Sequence, residues 1–279
     1  MFPSVIKENA IKHGLVWLQS ISSRQAGRLL SNLLVSPVII CDKDRAKSLL
    51  PELSQESGFK IEKCDLALVK PNICGLYHPS IELVAAAIRY LENYADKTVI
   101  GETRSTIHNP ESQFRRLRIN DLAAQFGDRV STVDLSEEKT AKVRIPKPHV
   151  LKEVELPETV LEADVLVNMP KVGTHSTTRI TNALKNLFGV LPERSKYSVY
   201  HPPGIDNVIA DIAQVVKPDL NIADTDEKVI VGVDPLAVDI VACRFVGLNP
   251  LTVKHLRLVS EDRGLRLEDL VGKVKVTES

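Results

Sequence analysis

Asp164-Val165-Leu166-Val167-Asn168, running on into Met169-Pro170-Lys171-Val172-Gly173-Thr174-His175, decides how this 279-residue chain folds. A short apolar run bounded by polar residues reads as a strand covered on both faces. The polar stretch after it, to His201, is dense in donors: Lys171, His175, Thr177, Thr178, Arg179, Thr181 and Lys185. In open α/β sheets ligands bind outside the carboxyl ends of the strands. The segment therefore predicts both an element of the fold and the place of a site.

Working outward, strand and helix signals alternate. Strands are predicted at 35–41, 66–70, 97–101, 130–135, 164–168, 220–224 and 229–233. Helices are predicted from Asp42 to Gly58, from Ser80 to Tyr94, from Pro110 to Gly127, from Arg179 to Leu191, from Gly204 to Val216, from Pro235 to Val246 and from Leu251 to Asp262, before a short charged tail. Pro110 and Pro235 suit first helical turns. Pro146, Pro148 and Pro157 mark 136–162 as a hairpin or edge excursion. The expected class is α/β: a mostly parallel sheet with helices on both faces and a small antiparallel or irregular excursion. The expected division is an N-terminal helical segment, 1–34, with Trp17, Leu18 and Ile21 on one face, and a single α/β domain, 35–279.

Hydrophobic content of 43% and charged content of 26% are ordinary for a soluble globular protein. Thirty-six basic residues balance 36 acidic ones and only 4% of residues are aromatic, which argues against a nucleic-acid binder. No apolar run is long enough for a membrane span. The cysteines, Cys41, Cys64, Cys74 and Cys243, form no C-x-x-C pair. They read as reduced thiols in a cytoplasmic setting, with no iron–sulfur cluster in this chain. The zincin, nucleophile-elbow, P-loop and dinucleotide motifs are all absent.

The candidate site residues sit at strand ends. Lys70-Pro71-Asn72 leaves the second strand as Pro170-Lys171 leaves the fifth. Gly101-Glu102 ends the third, where Glu102 could be an acid or a metal ligand and Arg104 could equally neutralise it. His175 and His201, with ordinary pKa values near 6.5, are candidate general acids or bases. Thr178 or Thr181 could cap a helix carrying Lys185 and Asn186, whose N-terminus would face an anion. Asp224 and Asp239 are candidate ligands for a divalent metal. Asp234 reads simply as a helix cap.

Val69-Lys70-Pro71-Asn72, Pro170-Lys171 with His175, Thr181-x-Ala183-Leu184-Lys185-Asn186-Leu187-Phe188-Gly189, His201 and Asp234-Pro235-x-Ala237-x-Asp239 together resemble the domain of unknown function 362 family, over about residues 65–250. The resemblance implies a prokaryotic α/β domain, in some members joined to a ferredoxin-like iron–sulfur module. This chain departs from the pattern. It has no cysteine-rich segment, and only 225–229 bridges two strands where a glycine-rich insert often lies, which puts the site's activity in question.

Two readings follow. In one, the protein is an enzyme acting on a small phosphate- or carboxylate-bearing ligand. Lys70, Asn72, Lys171, Thr178, Thr181, Lys185 and Asn186 would bind it, and His175, His201 and Glu102 would carry the chemistry. In the other it is a non-catalytic binding or redox module with a ferredoxin-like partner. The convergence of cations and general-base candidates at strand ends favours the first, with the second as the alternative.

Overall fold

The computed structural model describes residues 37–75 and 77–279. The predicted N-terminal helical segment lies outside the described residues. In chain order the elements are β1 (Val38–Asp42), α1 (Lys43–Glu56), β2 (Cys64–Pro71), α2 (Ile81–Leu91), β3 (Ala95–Glu102), α3 (Pro110–Arg116), α4 (Ile119–Ala124), β4 (Val130–Asp134), β5 (Thr140–Arg144), β6 (Glu153–Pro157), α5 (Glu158–Glu162) and β7 (Val165–Met169). Then come β8 (Gly173–His175), β9 (Arg179–Thr181), α6 (Ala183–Leu187), α7 (Lys196–Tyr200), α8 (Ile205–Val215), β10 (Leu220–Asp224), β11 (Lys228–Gly232), α9 (Pro235–Ala242), α10 (Lys254–Asp262), α11 (Leu267–Val271) and β12 (Val276–Glu278).

Eight strands form one sheet in the order β12-β1-β11-β10-β7-β2-β3-β4. Every neighbouring pair is parallel except the two made by β11, so seven strands run the same way and β11 opposes them. The short turn from β10 to β11 produces that reversal, because only an antiparallel pair can be joined so tightly. The excursion predicted at 136–162 is the antiparallel hairpin β5–β6.

Alternation along the strands sends side chains into two cores. On one face Leu68, Leu166, Ala223 and Ile230 pack against α6, α8, α9, α10, α11 and the β5–β6 hairpin. On the other Val69, Val167, Ile222 and Val229 pack against α1, α2, α3 and α4. With both faces covered, the central strands must be apolar throughout, and so any polar residue in them stands out. Among the described residues no helix is long and apolar enough to cross a membrane.

Four local expectations need correction. The helix predicted over 110–127 is broken at Arg118, whose left-handed φ of 58° turns the chain so that Phe114 and Ile119 both reach the core. Asp42 stands at the start of α1 but makes no capping bond; its carboxylate goes to Lys228 at 2.6 Å. The charged tail contains α11 and β12, and β12 pairs with β1 to form the sheet edge. The fourth correction bears on the site. Arg179–Thr181 is not helix but strand β9, paired with β8. Arg179 enters it at a left-handed φ of 67°, and helix begins only at Ala183.

Candidate functional site

A row of polar side chains crosses the sheet beneath α6. Lys70 and Asn168 are register partners on β2 and β7, and Asn168 and Asn221 on β7 and β10. Asn186 on α6 points down into the row: its Oδ1 accepts from Lys70 Nζ at 3.0 Å and its Nδ2 donates to Asn168 Oδ1 at 2.8 Å. Asn168 Nδ2 donates to Asn221 Oδ1 at 2.8 Å and to the Ala183 carbonyl. Asn221 Nδ2 reaches the Gly232 carbonyl at 3.1 Å. At the other end Lys70 Nζ meets Glu102 Oε1 at 2.8 Å, with both side chains buried. Glu102 also accepts from the Ile73 and Thr103 backbone N–H groups.

The three N–H bonds of Lys70 are thus taken by Glu102, Asn186 and the Pro71 carbonyl. Buried charges survive only when so completely paired. Gly189 is required above the pair, since a Cβ there would lie 2.6 Å from Lys70 Nζ. Arg104, the alternative partner for Glu102, instead pairs with Asp134 and Glu137.

Lys171 belongs to a second group on the opposite face. Asp224, wholly buried, holds Lys43 at 2.7 Å and Lys171 at 3.2 Å, and accepts from the Ser80 N–H. Lys171 also reaches Asp226 at 2.9 Å and the Thr225 carbonyl at 2.6 Å. The short β10–β11 connection therefore supplies acceptors that occupy Lys171. Lys70 and Lys171 leave adjacent strands yet do not share a crevice.

Asp239 holds the start of α6. Its Oδ1 accepts from the Ala183 N–H at 2.8 Å and its Oδ2 from the Leu184 N–H at 3.2 Å. The expected threonine cap is not made: Thr178 Oγ1 donates to the Ile180 carbonyl, and Thr181 lies on β9. The acceptor at this helix end is thus a side chain of the protein itself. Burial pushes the Asp239 carboxyl up to about 8, against the two N–H groups, which pull it down. Asp234 caps α9 through the Leu236 N–H and also takes both carboxylate contacts of Arg263 at 2.9 Å. Among the described residues no group of three or more His, Cys, Asp or Glu is placed to hold a metal.

Of the candidate site residues, Lys185, His175, His201 and Asn72 keep side-chain polar atoms without a hydrogen-bond partner among the described residues. Lys185 is largely enclosed and makes no hydrogen bond or ion pair among the described residues. Burial pulls its ammonium down to about 8, with Asp206 opposing. His175 is lowered to about 4, first by burial and then by Lys185 and His201. Its Nδ1 accepts from the Thr177 and Thr178 N–H groups at 3.2 and 3.3 Å, so the neutral ring carries its proton on Nε2. His201 lies against Tyr197 with ring centroids 4.1 Å apart. The nearby Asp206 is bonded at 2.7 Å to His255 Nδ1. The side-chain amide of Asn72 likewise has no partner among the described residues.

The family model described as "Domain of unknown function (DUF362)" matches residues 67–244. The chain belongs to this family. It is also similar to "Thylakoid-associated protein sll1697" of Synechocystis sp. (strain ATCC 27184 / PCC 6803 / Kazusa), with 32% identity over 221 residues. That alignment covers 72% of this chain and 60% of the relative, so the chain spans less than two-thirds of that protein. The polar row, the Lys185 cluster and the Asp224 group apart from Lys43 fall inside the DUF362 match.

Sequence reasoning missed Asn168 and Asn221 as members of the row, although an asparagine inside an otherwise apolar central strand is a legible signal. It also missed Thr103, Lys196 and the His255–Asp206 pair. These come together from distant parts of the chain, and nothing in their local sequence marks them.

Proposed function

We propose that this DUF362 protein is an enzyme that binds a small phosphate- or carboxylate-bearing ligand on Lys185, His175 and His201, near the carboxyl ends of the strands. The observation that carries the reading is the contrast in pairing. Lys70 and Lys171 are saturated by protein acceptors, whereas Lys185 is enclosed beside two histidines with no hydrogen-bonding counter-ion. An enclosed ammonium gains most from an anion that completes its hydrogen bonds. Lys185 would supply the charge, and His175 would donate from Nε2. With the anion bound, His175 becomes a base strong enough to move a proton. Lys70, Glu102, Asn186 and Asp239 serve this reading by holding α6, and with it Lys185, on the sheet. We also infer a prokaryotic setting, supported by the similarity to a Synechocystis protein, and a cytoplasmic one, supported by the four free cysteines.

The test is the titration of His175 followed by NMR. In the free protein its ring is expected to protonate at about pH 4. Saturating phosphate should move that midpoint upward, because a neighbouring anion favours imidazolium. An unmoved midpoint would count against the reading.

A further inference from the structure

A cleft of about 340 Å³ opens between α9 and α11. Leu236, Ala237 and Ile240 of α9 form one wall, and Leu265, Leu270 and Val274 form the other. Leu265 and Val274 are half-buried, so apolar surface there still meets water. Charged residues surround it: Asp234, Arg266, Asp269 and Lys273. Asp234 is taken by Arg263, and Arg266 faces Glu268 at 3.9 Å. Asp269 makes no ion pair among the described residues. A contiguous apolar surface rimmed by polar residues marks an interaction site.

The point where the chain enters the fold says what can reach this cleft. The Val38 N–H donates to the Lys275 carbonyl at 2.8 Å, and Val38 is the register partner of Val276 on β12. The start of β1 therefore stands beside Val274 on the cleft wall. Directly before it the sequence reads Arg28-Leu29-Leu30-Ser31-Asn32-Leu33-Leu34-Val35-Ser36-Pro37. Its leucine pairs recur four residues apart, the spacing that gathers side chains on one helical face. No acidic residue occurs between Glu8 and Asp42, so this stretch brings only positive charge to the rim. From Leu34 to Val38 the chain can span at most about 14 Å. Tethered that closely, the stretch has an effective concentration roughly in the millimolar range, far above that of a second copy.

We propose that this cleft is the docking site of the chain's own residues 29–34. Leu30, Leu33 and Leu34 seat against Ala237, Leu265 and Val274, and Arg28 pairs with Asp269. Burial of the leucines removes apolar surface of both partners from water, which drives the docking. The contact ties the chain's N-terminal stretch to α9 and α11, and so to the end of the sheet where β1 and β12 begin.

The test uses the full chain and the fact that Trp17 is its single tryptophan. Trp17→Phe with Leu33→Trp moves the indole to position 33. Its emission should be that of a buried ring, and adding Leu265→Arg, at a half-buried wall position, should shift it to the red. Hydrogen exchange gives a second readout. Leu30→Asp with Leu33→Asp and Leu34→Asp should speed exchange in 267–274 on the order of tenfold, with α2 unchanged. Water-like emission at position 33, or buried emission indifferent to Leu265→Arg, overturns the proposal. Burial that appears only as protein concentration rises assigns the cleft to a second copy and overturns it. Burial that appears only on adding anionic lipid vesicles assigns the stretch to a membrane surface and also overturns it.

Discussion

Replacing Lys70 with methionine is expected to cost about 3–5 kcal/mol of folding stability, the range for removing one partner of a buried ion pair. The Lys70–Glu102 pair is shut away from water, with side-chain exposures of 1% and 3%. In Lys70→Met the Glu102 carboxylate keeps two backbone donors and loses its cation, and Asn186 Oδ1 loses its donor. Urea denaturation should show a lower midpoint with an unchanged slope. The double variant Lys70→Met with Glu102→Leu should regain much of the loss, because no charge is then left buried. A Lys70→Met protein as stable as the parent would mean that water reaches this pair.

The second large effect is expected at Asp239. Asp239→Ala removes the acceptor of two backbone N–H groups at the start of α6, each costing about 1–3 kcal/mol when left unmade. It also opens a small cavity beside Ala183 and Leu184. The loss should depend on pH with a definite sign. The folded state raises the Asp239 pKa from 3.8 to about 8, so it binds a proton more tightly than the unfolded chain does. That stabilisation is complete below pH 3.8 and declines as pH rises towards about 8. The gap between parent and Asp239→Ala should therefore narrow between pH 5 and pH 8, measured by urea unfolding at each. A gap that widens with pH would mean that the two N–H groups outweigh burial and hold the carboxyl ionised.

The sheet was legible because its strands are short apolar runs with β-branched residues, and Leu220–Asp224 was readable to the residue. Helix boundaries were harder where tertiary contacts set them. Ile180 falls at helical spacing with Ala183, Leu184 and Leu187, yet β8 claims it as a strand residue. Only Asp239, more than fifty residues away in sequence, sets the start of α6 at Ala183.

The candidate residues were found by type and by their place at strand ends. Their division into paired and unpaired groups was not readable. Lys70 and Lys171 look alike in sequence, each beside a proline at a strand end. Lys70, however, shares with Leu68 the face beneath α6, whereas Lys171 meets Asp224 on the face of α1 and α2. Which face a side chain takes, and which acceptors await it there, depends on strand order. Composition and spacing do not carry that information.

The central claim is that Lys185, and not the better-placed-looking Lys171, receives an anion. Isothermal titration of phosphate into the parent, Lys185→Ala and Lys171→Ala tests it directly. Binding should persist unchanged in Lys171→Ala and weaken about tenfold or more in Lys185→Ala, the loss of one charge-assisted hydrogen bond. Absence of binding to the parent, or equal weakening in both variants, would contradict it.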